Sequence, residues 1–304
     1  QALRAVQMPH SPTTPTGRRD LRLGYAFALS AITIFALQDG ISKHLGQAYP
    51  PVFVTMIRYW AFAAFALMLA ARARGGIAGT AQSRARPLQI GRGVLLAVQI
   101  VLAITCFAII GLARTQAIFA ATPLIATVMS VVFLGEKAAP LRWLGVAMGL
   151  AGVLLILRPH GDFFDATVLL AVLCSVMFAS YSVMTRLAGM LDAPMTSFFY
   201  TGVVGCLVVS LIGPFYWTNM APADWAWMTT LCLTSVTSHY LLIKAYNILD
   251  ASAVQPLSYL SVVYASVMGP VIFHETVHLT TYLGGATVVA GGLLSIWSER
   301  RRRG

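Results

Sequence analysis

The sequence predicts an all-α polytopic membrane protein, with ten transmembrane helices arranged as two inverted-topology repeats of five. Three observations lead there. Hydrophobic residues make up 58% of the 304 and charged residues 10%, against roughly 25% charged in soluble domains. Apolar runs of about twenty residues, enough to cross a bilayer, recur along the whole chain. Finally, a segment of the first half returns in the second. In lipid the backbone must satisfy its own hydrogen bonds, which leaves helices as the spanning elements for runs of this length.

Apolar runs between turn-forming breakers place helices at about 21–45, 51–71, 88–111, 114–134, 138–157, 166–187, 195–216, 224–248, 252–273 and 277–298. The first follows Arg18, Arg19 and Arg22 as a secretory signal would. No small-residue cleavage site follows it, and Gln38-Asp39 interrupts its second half, so it is expected to be retained. Tyr49-Pro50-Pro51, Gly75-Gly76, Arg158-Pro159-His160-Gly161, Ala193-Pro194 and Ala221-Pro222 supply the turns. Only the connection "RARGGIAGTAQSRARP" at 72–87 is long and basic. Residues 1–20 are expected to form a disordered tail, whose opening QALRAVQ ahead of Met8 reads as a cloning remnant. Residues 21–157 would then be the first repeat, 158–165 an outer linker, 166–298 the second repeat and 299–304 a basic tail.

Net charge is +11. In a soluble protein that points to nucleic acid; here it orients the chain. With the N-terminus inside, sixteen Lys and Arg fall in inner segments, Arg92 among them, and two, Arg114 and Arg158, in outer ones. The positive-inside rule puts both termini in the cytoplasm. Cys106, Cys174, Cys206 and Cys232 lie in apolar spans without C-x-x-C spacing and read as reduced packing residues.

Residues 112–157 align with 251–296 without a gap and share 13 of 46 positions, including Gln116/Gln255, Met129/Met268, Glu136/Glu275, Gly145/Gly284 and Gly152/Gly291. Five helices per copy is an odd number, so the second copy enters from the opposite face. The alignment also decides a motif. His274-Glu275-Thr276-Val277-His278 matches the H-E-x-x-H of zinc peptidases, whose histidines must share a helical face. The first copy, "FLGEKAAP", has neither histidine, and its Pro140 opposes an unbroken helix. The motif is therefore expected in a short outer connection, with Glu275 as a turn residue. Neither a catalytic nor a metal site is expected, and no cofactor.

"PLIATVMSVVFLGEKAAPLRWLGVAMGLAGVLLIL" and its second copy resemble the EamA-type domain of the drug/metabolite transporter superfamily, as does the hairpin "DGISKHLGQAYPPVFVTMIRY". The resemblance covers nearly the whole chain. It implies ten helices, alternating access and a central cavity between the halves, with substrates that include amino acids, vitamins, nucleotide-like cofactors and sugar phosphates. By overall similarity the nearest branch is the bacterial aromatic amino-acid exporters. The second copy departs from the first in carrying His274 for Gly135, and Pro256 and Pro270 in place of Pro123.

Polar groups inside hydrocarbon are costly and therefore candidate pathway residues. Span 1 offers Gln38, Asp39, Ser42 and Lys43. Asp39 and Lys43, at i and i+4, read as an ion pair. The pair either receives a zwitterion, leaves Asp39 as a proton carrier, or is purely structural. Span 8 is the most polar, with Ser235 and His239 on one face and Tyr240 and Lys244 on the adjoining one. Gln99, Tyr181, Gln255 and Tyr259 complete the expected pathway. Arg58, Pro123, Glu136, Pro256, Pro270 and Glu275 are expected to anchor or gate. There is no Walker A sequence, so direct ATP coupling has no support.

The favoured expectation is a secondary transporter that exports small amphipathic metabolites, amino acids first, across the bacterial inner membrane. Its expected partners are the small-molecule substrate and the lipid bilayer, with neither nucleic acid nor an obligate protein partner. A vitamin- or nucleobase-like substrate is the rival within transport. An intramembrane protease and a purely structural membrane protein are the rivals outside it.

Overall fold

The computed structural model describes residues 18–134, 140–157, 166–246, 248 and 255–303. Glu136 lies outside them, as do the expected N-terminal tail through residue 17 and the linker. All regular structure among the described residues is helical. In chain order the helices are α1 (Arg18–Ala48), α2 (Pro51–Arg72), α3 (Gly76–Thr80), α4 (Arg86–Ile109), α5 (Leu112–Phe119), α6 (Thr122–Leu134), α7 (Pro140–Leu157), α8 (Ala166–Gly189), α9 (Pro194–Ile212), α10 (Pro222–Tyr246), α11 (Leu260–Phe273) and α12 (Leu279–Arg303). Two 3₁₀ turns, Gly213–Tyr216 and Gln255–Tyr259, extend α9 and precede α11.

Six stretches are long and apolar enough to cross a membrane: Leu21–Ala48, Pro51–Arg72, Arg86–Ile109, Leu112–Met129, Thr167–Gly189 and Pro194–Tyr216. Trp143–Ile156, Leu257–Phe273 and Leu279–Leu294 are shorter apolar helices. The Ser- and Thr-rich α10 is not among them. The outside of the bundle is apolar, with Leu211, Phe215, Val271 and Leu279 exposed. Such a surface suits acyl chains and would drive a soluble protein to aggregate.

Local chemistry sets the ends of these helices. Pro51, Pro87 and Pro194 stand in the first turns of α2, α4 and α9, where the missing N–H costs nothing. Pro123 acts differently. The sequence reads 114–134 as one helix, but the chain turns at Ala120 and Ala121 between α5 and α6. Pro123 cannot donate to the Phe119 carbonyl four residues back, so the ladder breaks at that point. Pro270, by contrast, sits inside α11.

α11 ends on His274, whose φ of 52° is left-handed. Its N–H and that of Glu275 both reach the Gly269 carbonyl, the usual way a left-handed cap satisfies helix-end acceptors. Residues 274–278 are not helical. His274 and His278 therefore do not share a helical turn, and the geometry on which a zinc-peptidase reading depends is missing.

Packing couples the two halves of the chain. α1 packs on α10, α2 on α9, α4 on α8 and α9, and α7 on α12. The last pair is the closest. A methyl added at Gly152 would sit 2.6 Å from the Gly284 carbonyl oxygen, and one at Gly284 would sit 2.6 Å from that of Gly152. Gly291 meets Gly145 in the same way. Small residues allow this backbone approach, which lipid-embedded helices use for van der Waals packing.

Candidate functional site

Three polar knots run along the interior. One lies at the end holding the turns at 49–50, 110–111 and 274–278, one at mid-depth, and one toward the end holding the turns at 81–85 and 190–193.

At the first end, Lys43 forms an ion pair with Glu275, not with Asp39. Lys43 is 2% exposed, and its ammonium lies 4.2 Å from the centre of the Phe273 ring. The Glu275 carboxylate also accepts the backbone N–H groups of Leu112 (2.6 Å) and Ala113 (3.2 Å). It therefore caps α5, where the helix leaves free donors and a partial positive charge. Gly111, with φ of 98°, makes room: a methyl there would lie 3.0 Å from the carboxylate. Glu275 is thus more than a turn residue. Asp39 is held by Gln116, whose Nε2 donates to it at 2.6 Å. The expected Asp39–Lys43 pair is corrected: the i,i+4 spacing permits it, but Glu275 reaches Lys43 along with two helix-end donors, and Asp39 finds an amide on α5. Gln38 and Ser42, one position before Asp39 and Lys43 respectively, are buried, with Gln38 Oε1 and Ser42 Oγ unpartnered.

At mid-depth there is a small crevice, partly open to its surroundings. Arg58, Tyr59 and Phe62 from α2, Leu96 and Ile100 from α4, Thr201 from α9, and Ser235 and His239 from α10 line it. Arg58 is the eighth of 22 residues in its helix and Ser235 the fourteenth of 25, which sets the depth. Arg58 Nε donates to Ser235 Oγ at 3.0 Å. His239 Nδ1 lies 2.8 Å from the Ser235 carbonyl oxygen, and its ring meets Phe35 and Phe62 edge-on at 5.0 and 5.1 Å. Among the described residues no carboxylate lies within ion-pair distance of Arg58. Tyr59 is 3% exposed and its hydroxyl has no hydrogen-bond partner.

Toward the other end Arg92, also 2% exposed, fans its guanidinium across α4, α8 and α9. It donates to Gln89 Oε1 (3.0 Å), Thr185 Oγ1 (3.1 Å), Thr201 Oγ1 (2.9 Å) and the Ser197 carbonyl, and lies 3.5 Å from Tyr181 Oη. All of these acceptors are neutral, and Arg92 Nε has no partner. Gln89 passes the contact on, donating to Asp192 at 2.8 Å. Asp192 sits in the α8–α9 turn and also accepts from Ser83 Oγ and, at 2.8 Å, from the N–H of Arg84. Partial desolvation pushes its pKa up, but the hydrogen bonds from Gln89, Ser83, Arg84 and Ala85 outweigh it and hold the carboxyl below the usual 3.8.

The expected pathway residues therefore scatter. Arg58, Ser235 and His239 meet at the crevice, and Tyr181 joins the Arg92 knot. Gln99 is buried but bonds to Cys174 Sγ at 3.2 Å. Tyr240 faces outward beside Phe65, with Lys244 over its ring. Tyr259 is buried in an apolar cluster with its hydroxyl against Gly292. The side chains of Gln255 and Pro256 lie outside the described residues. Tyr59, Thr201, Gln89 and Asp192 were missed, and Arg92 was read as a connecting-segment charge. The legible signal for Arg92 was its place a turn and a half beyond the helix-starting Pro87.

The EamA-like transporter family model matches residues 22–158 and again 165–297. The S-adenosylmethionine uptake transporter of Rickettsia prowazekii is 25% identical over 276 residues, covering 90% of this chain and 92% of that one. The riboflavin transporter of Vibrio cholerae is 28% identical over 197 residues, covering 62% and 63%. The pseudopaline exporter CntI of Pseudomonas aeruginosa is 25% identical over 276, covering 88% and 94%. A solved crystal structure superposes with a TM-score of 0.63 at 20% identity over 91% of this chain and 97% of the other, which supports the fold alone. With two matched segments spanning most of its length, and an apolar helical bundle around a buried polar interior, the chain belongs to the EamA-like transporter family.

Proposed function

We propose that this protein is a secondary transporter that moves a small metabolite with an amino-acid head across the inner membrane by alternating access through the mid-depth crevice. One observation carries the reading. The crevice is walled by α2 and α4 from the first family-matched segment and by α9 and α10 from the second. A rocking of one half against the other would therefore open and close it.

The packing supports an inverted repeat. Gly145 and Gly152 align with Gly284 and Gly291, and they contact the exchanged partners, Gly291 and Gly284. In such an isologous contact residue i meets j and j meets i, as a two-fold axis requires. The helix pairs exchange likewise: α1 on α10 mirrors α4 on α8, and α1 on α11 mirrors α6 on α8. We place both termini in the cytoplasm, on the charge asymmetry of the connections.

The S-adenosylmethionine relatives support an amino-acid head, since that molecule carries an α-amino carboxylate beside its purine. Export of amino acids, including aromatic ones, is our reading of direction and range. A vitamin-like substrate is favoured by the riboflavin relatives. Proteoliposomes loaded with labelled tryptophan, S-adenosylmethionine or riboflavin, with and without a pH gradient, decide between them. We expect saturable efflux of the first two, each competing with the other. Riboflavin moving alone would replace the substrate, and saturable flux of none would overturn the transport reading.

A further inference from the structure

Tyr59 is a buried hydroxyl with no hydrogen-bond partner, on the wall of the crevice. A buried hydroxyl donor left unmade costs about 1–3 kcal/mol, and a phenylalanine would fill the same place without that cost. Gln38, Ser42 and Tyr259 also hold unpartnered buried atoms, but none of these residues lines the crevice.

The cations Arg58 and Arg92 are electrostatic neighbours of Tyr59, while Asp39 acts on Arg58 without forming an ion pair with it. Arg58 precedes Tyr59 and faces the same space. Arg92 hydrogen-bonds the back of Thr201, a residue that also lines the crevice, and it is an electrostatic neighbour of Tyr59. Neither guanidinium touches a carboxylate among the described residues. Arg92 reaches Asp192 only through the amide of Gln89. The Nε–H of Arg92, like the hydroxyl of Tyr59, is an unspent donor. Buried cations persist when an anion answers them.

We propose that Tyr59, in the positive field of Arg58 and Arg92, is the carboxylate-recognition residue of the crevice: its hydroxyl donates to a carboxylate oxygen of the transported metabolite. The proposal rests on the transport reading above and names the group by which the substrate is selected. Phe62 and the His239 ring, which also line the crevice, then face the apolar remainder of the ligand.

The test is transport kinetics of wild type and Tyr59→Phe in proteoliposomes, using tryptophan, its carboxamide and riboflavin. Wild type should prefer tryptophan to the carboxamide. Tyr59→Phe should raise the KM for tryptophan about tenfold, as expected for one lost hydrogen bond to a charged group. It should leave the KM for the carboxamide and for riboflavin within twofold. Its melting temperature in detergent should equal or exceed that of wild type, because the substitution removes an unmade bond; a purely structural tyrosine would lower it. An unchanged KM for tryptophan, or an equal rise for tryptophan and its carboxamide, overturns the subsite and leaves the transporter standing. Saturable flux of none of the three by wild type overturns the transport reading, and the subsite with it.

Discussion

Lys43 and Arg92 are buried to the same degree, 2% exposed each, toward opposite ends of the bundle, and their surroundings treat them differently. Lys43 meets a carboxylate that simultaneously caps α5, so one contact joins α1, the α11–α12 connection and the start of α5. Arg92 meets only neutral oxygens, and the nearest carboxylate stands beyond an amide. The first arrangement is electrically closed. The second holds its charge with neutral hydrogen-bond partners and a carboxylate one residue removed. Desolvating a charge costs several kcal/mol. Lys43 offsets that cost with Glu275, whereas Arg92 is answered by neutral acceptors.

Breaking the closed pair should therefore have the largest effect. Glu275→Ala leaves Lys43 buried without its anion and uncaps α5, and should destabilise the protein by about 3–5 kcal/mol. Thermal unfolding in detergent, followed by the reactivity of the buried Cys106 and Cys174, would measure it. Lys43→Met combined with Glu275→Gln should recover part of the loss, because no uncompensated charge remains. If the single variant melts with wild type, the pair contributes little and the contrast with Arg92 fails.

Little of this contrast was legible in the sequence, although the helices were. Apolar length and proline punctuation placed most helix boundaries within a few residues, since those signals are local. Pro123 was read as a feature of one helix rather than its break, because hydrophobicity runs straight through Ala120 and Ala121. Lys43 was assigned to Asp39 because i,i+4 neighbours are visible in a sequence, whereas Glu275 is 232 positions away. The repeat alignment had marked Glu275 against Glu136 without saying what it would touch. Tyr59 gave no signal of its own. An unmade hydrogen bond is a property of the packed interior, and no spacing rule reports it.

The alignment of residues 112–157 with 251–296 does predict a smaller effect near Glu275. His274 adopts φ of 52°, a conformation that costs a residue with a Cβ roughly 1–2 kcal/mol. The aligned residue of the first copy is Gly135, which would occupy that region freely. His274→Gly should thus stabilise the cap by about 1 kcal/mol, less the entropy that glycine adds to the unfolded chain. A fall in melting temperature would mean that the imidazole makes contacts worth more than the strain.

The smallest effect belongs to the end of the bundle that holds Asp192 and depends on pH. Asp192 titrates below the usual 3.8 when folded, so the unfolded chain binds its proton at a higher pH than the native one does. Stability from this group is complete above the unfolded pKa and is lost as pH falls through the folded one. The carboxylate is only partly buried, and solvent screening keeps the contribution modest. Asp192→Asn should melt slightly below wild type at pH 7. The gap should narrow as both are acidified below about pH 4, where the native aspartate takes up its proton. A gap that persists unchanged at low pH would assign the loss to hydrogen-bond geometry at Gln89 and Ser83. In that case Asp192 acts on Gln89 and Ser83 as a hydrogen-bond acceptor and its charge contributes little to holding Arg92.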